Sequence, residues 1–401
     1  MTDVSSAFDF DEEIDRRAVP SLKMHRIVLG DGGHDLFAAG VADMDFRAAP
    51  PVRDALRNRL EHGIFGYEAM PDGLMPALTG WLKTRHGWQV DPRHILRAPN
   101  VLNILAIAAS LFTKHNDGII VQPPVFFDFY DIVRENGRRL APNPLILEGG
   151  RYRMDFDGLE DLAARPQNTM LYLCNPHNPV GRVWTRDELR TVAEICARHN
   201  VVVVADEIHG DITFPGHAYT PFAALGPEVA GNAITCLSPA KSFNIASCCS
   251  AFTVITDDAK RRAFQTENSR LTVNKNNAFA SVAMEAAYRD GGPWLDAVLD
   301  YLAGNLSQVR SRLTEMPGVS LIEPDGTFLL WLDFRALGLD SEGLTRFLRT
   351  EAGWSLTRGP AFGDGGTGFA RLNIGCPRPR LVSALDRLSG AVARHHSNQQ
   401  I

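Results

Sequence analysis

The sequence predicts an α/β protein built from two packed domains. Three observations carry this. The chain of 401 residues is too long for one minimal domain. Short apolar, β-branched runs alternate with helical patterns through its middle, as they do in an α/β sheet. After about Gly291 that alternation gives way to a different pattern.

The candidate strands, in order, are ILRA (95–98), GIIVQ (118–122), MLYLC (170–174), VVVVA (201–205), AITCL (233–237) and AFTVI (251–255). Several are apolar at nearly every position, which is the pattern of strands covered on both faces. Between the first two lies an apolar run from Val101 to Phe112. It contains Asn103 and Ser110 and falls well short of the ~20 residues needed to span a bilayer. It reads as a buried helix, and no membrane partner is expected. Thr185 and Glu188 have the spacing of a capping box. Leu189, Val192, Ala193 and Cys196 then recur at helical spacing and should face the sheet, with Asn200 as the stop before the next strand. A long helical stretch from Trp294 to about Met316 opens the last region. There FLLWLDF (328–334) and RLNIG (371–375) look like strands, among helical segments near 341–350 and 380–394. The division expected is a large domain over residues 45–290 and a smaller domain from residues 1–44 and 291–401.

Composition excludes several function classes. Hydrophobic residues make up 45 % and charged residues 22 %, ordinary for a globular chain with a sizeable core. A net charge of −6 argues against a nucleic-acid partner, which needs clustered Lys and Arg. The opening MTDVSSAFDFDEEID is acidic and leads into no apolar run, so a cytoplasmic location is expected. The six cysteines lack CxxC or metal-ligand spacing. The adjacent Cys248 and Cys249 read as small fillers of a tight loop. No metal site is expected. His395 and His396 read as part of a disordered polar tail.

In open α/β sheets, ligands bind beyond the carboxyl ends of the strands. Asn175 follows MLYLC, Asp206 follows VVVVA, and Ser238 and Lys241 follow AITCL. Pro99-Asn100-Val101 follows ILRA and opens the apolar helix, whose first amides suit a phosphate. Each residue alone has an ordinary reading: Asp206 as a helix cap, Asn175 as turn chemistry, Lys241 as a solvated lysine. Together they make the set that pyridoxal 5'-phosphate (PLP) requires. The lysine forms an imine, the carboxylate keeps the pyridine nitrogen protonated, and the amide bonds the phenolic oxygen. Gly363, Gly365 and Gly368 spell GxGxxG, the dinucleotide fingerprint. A strand-like ARLNIG follows them where a helix is needed, so they read as a flexible loop.

Five segments extend the pattern: VADMDF (41–46), EHGIFGY (61–67), NPHNPVGRVW (175–184), ADEIHGDITFPGH (205–217) and ARLNIGCPR (370–378). With them the chain resembles the fold-type-I PLP enzymes of the aspartate aminotransferase superfamily, and within it the MalY/PatB-type cystathionine β-lyases, from about Phe8 to Val392. The resemblance implies a large domain with a mostly parallel sheet of roughly seven strands beside a smaller α+β domain. It makes Lys241 the Schiff-base lysine, Asp206 the partner of the pyridine nitrogen, and Asn175 and His209 the donors to the phenolic oxygen. Ser238 and the amides of Asn100, Val101 and Leu102 become the phosphate cup, and Phe126 the ring-stacking residue. Tyr67 reaches the phosphate from a neighbouring subunit, which implies a homodimer with shared sites. Arg371 grips the carboxylate of an amino-acid substrate through a bidentate fork.

The implied activity is α,β-elimination from an S-substituted L-cysteine to give thiol, pyruvate and ammonia. Three departures from the family pattern bear on that outcome: Phe126 in place of Tyr, Asn100 in place of Gly, and Ala246-Ser247-Cys248-Cys249 in place of an Ala-Gly-Leu run. They keep two PLP alternatives open, transamination and a decarboxylating oxidative deamination of an S-conjugated cysteine. A third alternative is a regulatory binding protein on the same fold.

Overall fold

A computed structural model of the protein describes residues 8–399. The first seven residues, where the acidic opening begins, lie outside the described residues. A seven-stranded sheet forms the centre. Its strands are β1 (Ile95–Ala98), β2 (Gly118–Val121), β3 (Arg139–Pro142), β4 (Asn168–Cys174), β5 (Val202–Asp206), β6 (Ala233–Leu237) and β7 (Ala251–Val254). They lie in the order β1-β7-β6-β5-β4-β2-β3. β2 pairs in parallel with β3 and β4, β4 with β5, and β5 with β6, while β7 runs antiparallel to both β1 and β6. Every residue of β2, β6 and β7 is buried, as strands covered on both faces must be. All six expected strands are present. The seventh, β3, was not read: it is a mostly exposed edge strand ending in Pro142, so it has neither apolar continuity nor clean alternation.

Helices fill the crossovers. α1 (Val101–Phe112) is the apolar run, and its buried residues include Ile104, Leu105 and Ala108. α2 (Asp128–Glu135) follows β2. α3 (Arg186–Arg198) opens with the expected reciprocal capping box of Thr185 and Glu188 and buries Leu189, Val192, Ala193 and Cys196. It stops at His199, one residue before the expected Asn200, which takes a left-handed φ of 57° in the turn into β5.

The last third of the chain carries a separate four-stranded antiparallel sheet, built from 320–322, 329–333, 369–373 and 357–358 in that order. Long helices over Gly292–Leu313 and Arg378–Gln399 cover it. The N-terminal segment joins this region: Phe37 and Ala38 pair in parallel with Trp354 and Ser355. His395 and His396 are not in a disordered tail. They lie in the final helix, and their Nε2 atoms reach the carbonyl oxygens of Leu337 at 3.1 Å and Pro317 at 2.9 Å. Gly363, Gly365 and Gly368 all have φ near +80° in the loop before 369–373. A Cβ on Gly363 would meet the Tyr130 hydroxyl at 2.2 Å, so this loop needs glycine for both backbone angle and space.

A buried ionic cluster ties the C-terminal region to the segments on either side of β4. Asp325 accepts from both guanidinium nitrogens of Arg151 (2.9 and 2.8 Å), from Arg182 Nε (3.0 Å) and from the Val183 amide (3.2 Å). Removing one partner of such a cluster leaves a charge uncompensated inside the protein. Asp325→Ala should therefore cost about 3 kcal/mol, read as a lower midpoint in chemical denaturation. An unchanged midpoint would show that Glu188, which accepts from Arg182 Nη2 at 3.0 and 2.9 Å, suffices as its partner.

Candidate active site

The sheet topology gathers the chemistry at one edge. Strands β1, β4, β5 and β6 present their carboxyl ends there, and the reversed β7 presents its start. A cavity of about 330 Å³ opens at this edge. Asn100, Val101 and Leu102 reach it from the β1 end, and Asp206 and His209 from the β5 end. Ser238 and Lys241 reach it from the β6 end, and Cys249 and Ser250 from just before β7. Phe126 and Asp128 supply another wall.

Lys241 Nζ donates to the carbonyl oxygen of Ala42 at 2.6 Å. The segment carrying Ala42 is itself fixed. Asn373 donates to the carbonyls of Val41 and Asp43, and Asn244 bonds the backbone of Met44 and Phe46. This gives the VADMDF run a physical purpose, which is to hold one carbonyl against the lysine. Burial pulls the Lys241 amine down to about 8, and the nearby Arg371 charge adds to this, against the pull of Asp43 and Asp206. A far larger share than in an exposed lysine is then uncharged and nucleophilic near neutral pH. Ser242, the next residue, donates to Asp211 at 2.6 Å. Asp211 also takes Trp81 Nε1 at 2.9 Å and His86 Nε2 at 2.7 Å. The loop bearing the lysine is thus anchored from below.

Asp206 is buried, and burial pushes its carboxyl up to about 6, offset in part by the Ile208 amide and the Lys241 charge. One oxygen accepts from Ile208 N at 3.2 Å, and no cationic side chain pairs with it among the described residues. His209 is buried, with Nδ1 lacking any partner. Burial, then Lys241 and Arg371, hold it well below the usual imidazole range, so it is neutral.

The NPHNP run corrects one expected residue. Asn175 does not line the cavity: its side chain accepts from Trp184 N at 3.1 Å and donates to Thr220 O at 3.3 Å, which fixes the turn after β4. Asn178, three residues on, lines the cavity instead. Its Oδ1 accepts from Arg371 Nη1 at 2.9 Å, which leaves its NH₂ to donate. Two asparagines in one turn-rich run look alike in sequence, and only their burial partners separate them.

Arg371 is 2 % exposed, donates also to Gly40 O at 2.7 Å, and stacks over Phe362. Its Nε has no partner, and no carboxylate pairs with it among the described residues. Burial draws the guanidinium down to about 9, so it remains charged at neutral pH. A buried cation without a counter-anion calls for an anionic ligand.

At the other end, Asn100 caps α1 by accepting from Asn103 N at 2.8 Å. Its φ of −158° is extended, so the step from glycine carries no backbone strain. The amides of Val101 and Leu102, in the first turn, have no intrahelical acceptor and point to an anion site. Ser238 Oγ accepts from Ala240 N at 3.2 Å and donates to Ser250 O at 3.0 Å. Cys249 Sγ lies 3.6 Å from Ser238 Oγ, and burial pushes its thiol up to about 11, which suits a filler more than a redox group. Phe126 is half-buried, its ring 4.9 Å from that of Phe127. Tyr67 is absent from this cavity and 108 % exposed, next to the exposed Ile64 and Phe65 on a surface that also carries Arg59, His62 and Glu68.

The cavity therefore offers a depressed amine, a carboxylate awaiting a cation, a neutral imidazole and a helix start awaiting an anion, and behind its lining residue Asn178 lies a guanidinium awaiting a carboxylate. This donor set fits a phosphorylated aldehyde with a basic ring nitrogen, together with an amino acid. The orphaned His209 Nδ1 and Arg371 Nε are the observations that carry the fit.

Known proteins share this architecture. The chain matches the model of aminotransferase class I and II over residues 41–388. It is similar to the cystathionine beta-lyase PatB of Bacillus subtilis, at 41 % identity over 96 % of this chain and 100 % of that protein. It is also similar to protein MalY of Escherichia coli, at 31 % identity over 96 % and 99 % of the two chains. Among solved structures, cystalysin of Treponema denticola, which contains a pyridoxal 5'-phosphate cofactor, superposes with a TM-score of 0.92 at 31 % identity. That match covers 96 % of this chain and 99 % of the other.

Proposed function

Because the chain belongs to the aminotransferase class I and II family, we propose that it is a PLP-dependent carbon–sulfur lyase. Its reaction splits an S-substituted L-cysteine of the cystathionine kind, with one water, into a thiol, pyruvate and ammonia. The observation that carries this reading is the pairing of a depressed lysine amine with a buried, cation-free carboxylate in one cavity.

Bound PLP supplies an electron sink that makes the substrate Cα–H acidic. Lys241 would hold it covalently, and Asp206 would receive the ring nitrogen. Asn178, in place of Asn175, and His209 serve the phenolic oxygen. The amides of Val101 and Leu102, with Asn100 and Ser238, would hold the phosphate, and Phe126 would stack on the ring. Arg371 takes the substrate carboxylate in a two-pronged grip and so fixes which Cα bond faces Lys241. Lys241 Nζ would act as the general base that takes the Cα proton. The Cβ–S bond then breaks, with its electron pair leaving on sulfur, which is protonated to the thiol. Asn178 holds Arg371 in place through their 2.9 Å bond.

A homodimer accounts for Tyr67, whose full exposure beside Ile64 and Phe65 suits a residue that reaches the phosphate of a second copy. Residues 45–290 form the cofactor-binding domain, with 1–44 and 291–401 as the smaller one, and the enzyme works in the cytoplasm.

Product analysis tests the reaction. With cystathionine or another cysteine thioether, pyruvate and thiol should appear in equal amounts. An aldehyde, or a keto acid that keeps the sulfur, would replace elimination with oxidative decarboxylation or transamination. No turnover of any thioether would favour a regulatory binding protein.

A further inference from the structure

Most ionisable groups lining the cavity have work in the reaction above. Lys241 is tethered and held by the Ala42 carbonyl, Asp206 receives the ring nitrogen, and His209 the phenolic oxygen. Asp128 remains. It lies at the first position of α2, two residues from Phe126, in the same cavity wall. Its side chain is half-buried and has neither hydrogen bond nor ion pair with any described residue. The nearest like charge, Asp131, sits 3.9 Å from Arg134, whereas Asp128 has no such neighbour. Burial, then Asp131, push the Asp128 carboxyl above its usual range, against the pull of Lys241.

Resting on the lyase reading, we propose that Asp128 selects the sulfur substituent: the leaving thiol carries a protonated nitrogen that this carboxylate receives. The charges of Lys241, Asp206 and the neighbouring Arg371 are matched by the cofactor and by the amino-acid end of the substrate. A half-buried carboxylate left over loses its water when substrate fills the cavity, and a cation or a strong N–H donor then stabilises it. Arg371 already serves the substrate carboxylate, so the remaining part of the substrate is the group beyond sulfur. A neutral alkyl substituent leaves Asp128 desolvated and unpaired, and an anionic one is repelled. An aspartate in the first turn of a helix also favours the helix start. That role acts on stability and is blind to the substituent.

The test compares S-(2-aminoethyl)-L-cysteine with S-propyl-L-cysteine, which match in length and differ in charge. The proteins are the wild-type holoenzyme and Asp128→Asn. The wild type should prefer the aminoethyl substrate in kcat/KM by roughly ten- to a hundredfold. Asp128→Asn should bring the ratio to within about threefold, mainly by loss on the aminoethyl substrate, with S-propyl turnover little changed. The same preference should appear in calorimetric dissociation constants for L-lysine against 2-aminoheptanoate, which have no sulfur to lose. A wild-type ratio near one, or a ratio that Asp128→Asn leaves unchanged, overturns the proposal while pyruvate release still supports the lyase. Absence of pyruvate from both thioethers, with an Asp128-dependent preference for lysine, overturns the lyase reading and retains the cation subsite.

Discussion

Replacing Lys241 with alanine should abolish turnover of cysteine thioethers, with a fall of at least about 10³-fold in kcat. Two roles vanish together, the covalent tether and the general base, so the loss exceeds that of a typical single proton-transfer group. The variant should stay folded. In the native protein the amine is half-buried and desolvated, with one hydrogen bond, to Ala42 O. Its removal leaves only that carbonyl without its donor, and the carbonyl sits at a cavity wall that water reaches. Circular dichroism and the denaturation midpoint check this beside the rate assay. Undiminished turnover in a folded Lys241→Ala protein would mean that another amine does the chemistry.

The second large effect is expected at Asp206. Asparagine in its place keeps the shape and a carbonyl oxygen for the Ile208 amide, while the negative charge is lost. An adjacent carboxylate favours the protonated form of a ring nitrogen by ~1–3 pKa units, a factor of about 10 to 10³ in its population. Asp206→Asn should therefore lower kcat by roughly two to three orders of magnitude. Covalent attachment of the cofactor at Lys241 should survive. Measuring attachment and turnover on the same preparation separates this from a folding defect. A variant within about threefold of wild type would show that the ring nitrogen needs no anionic partner, and the electron-sink role of this residue would fall.

Six of the seven central strands and helix α1 were legible because burial on two faces forces continuous apolar runs with polar breaks. Lys241, Asp206 and Ser238 were legible for a related reason. Each lies within four residues of the end of such a run, and strand ends in this topology point at one edge. Where a residue's environment is set by distant chain, sequence was silent. β3 is an edge strand with one buried residue, so no periodicity marks it. Asn175 and Asn178 share a run of prolines, and only contacts with Trp184, Thr220 and Arg371 decide which one faces the cavity. The Ala42 carbonyl was invisible for the same reason, since its role is a backbone atom positioned by Asn373 and Asn244 across the fold. Asp128 reads in sequence as an acidic residue opening a helix. It becomes a candidate for substrate recognition once the cavity shows it unpaired.

The most direct measurement is borohydride reduction of the protein after incubation with pyridoxal 5'-phosphate, followed by peptide mass spectrometry. One phosphopyridoxyl group should be found per chain, on the peptide that contains Lys241. Attachment at another lysine, such as Lys260 or Lys275, or at none, would contradict the mechanism at its root.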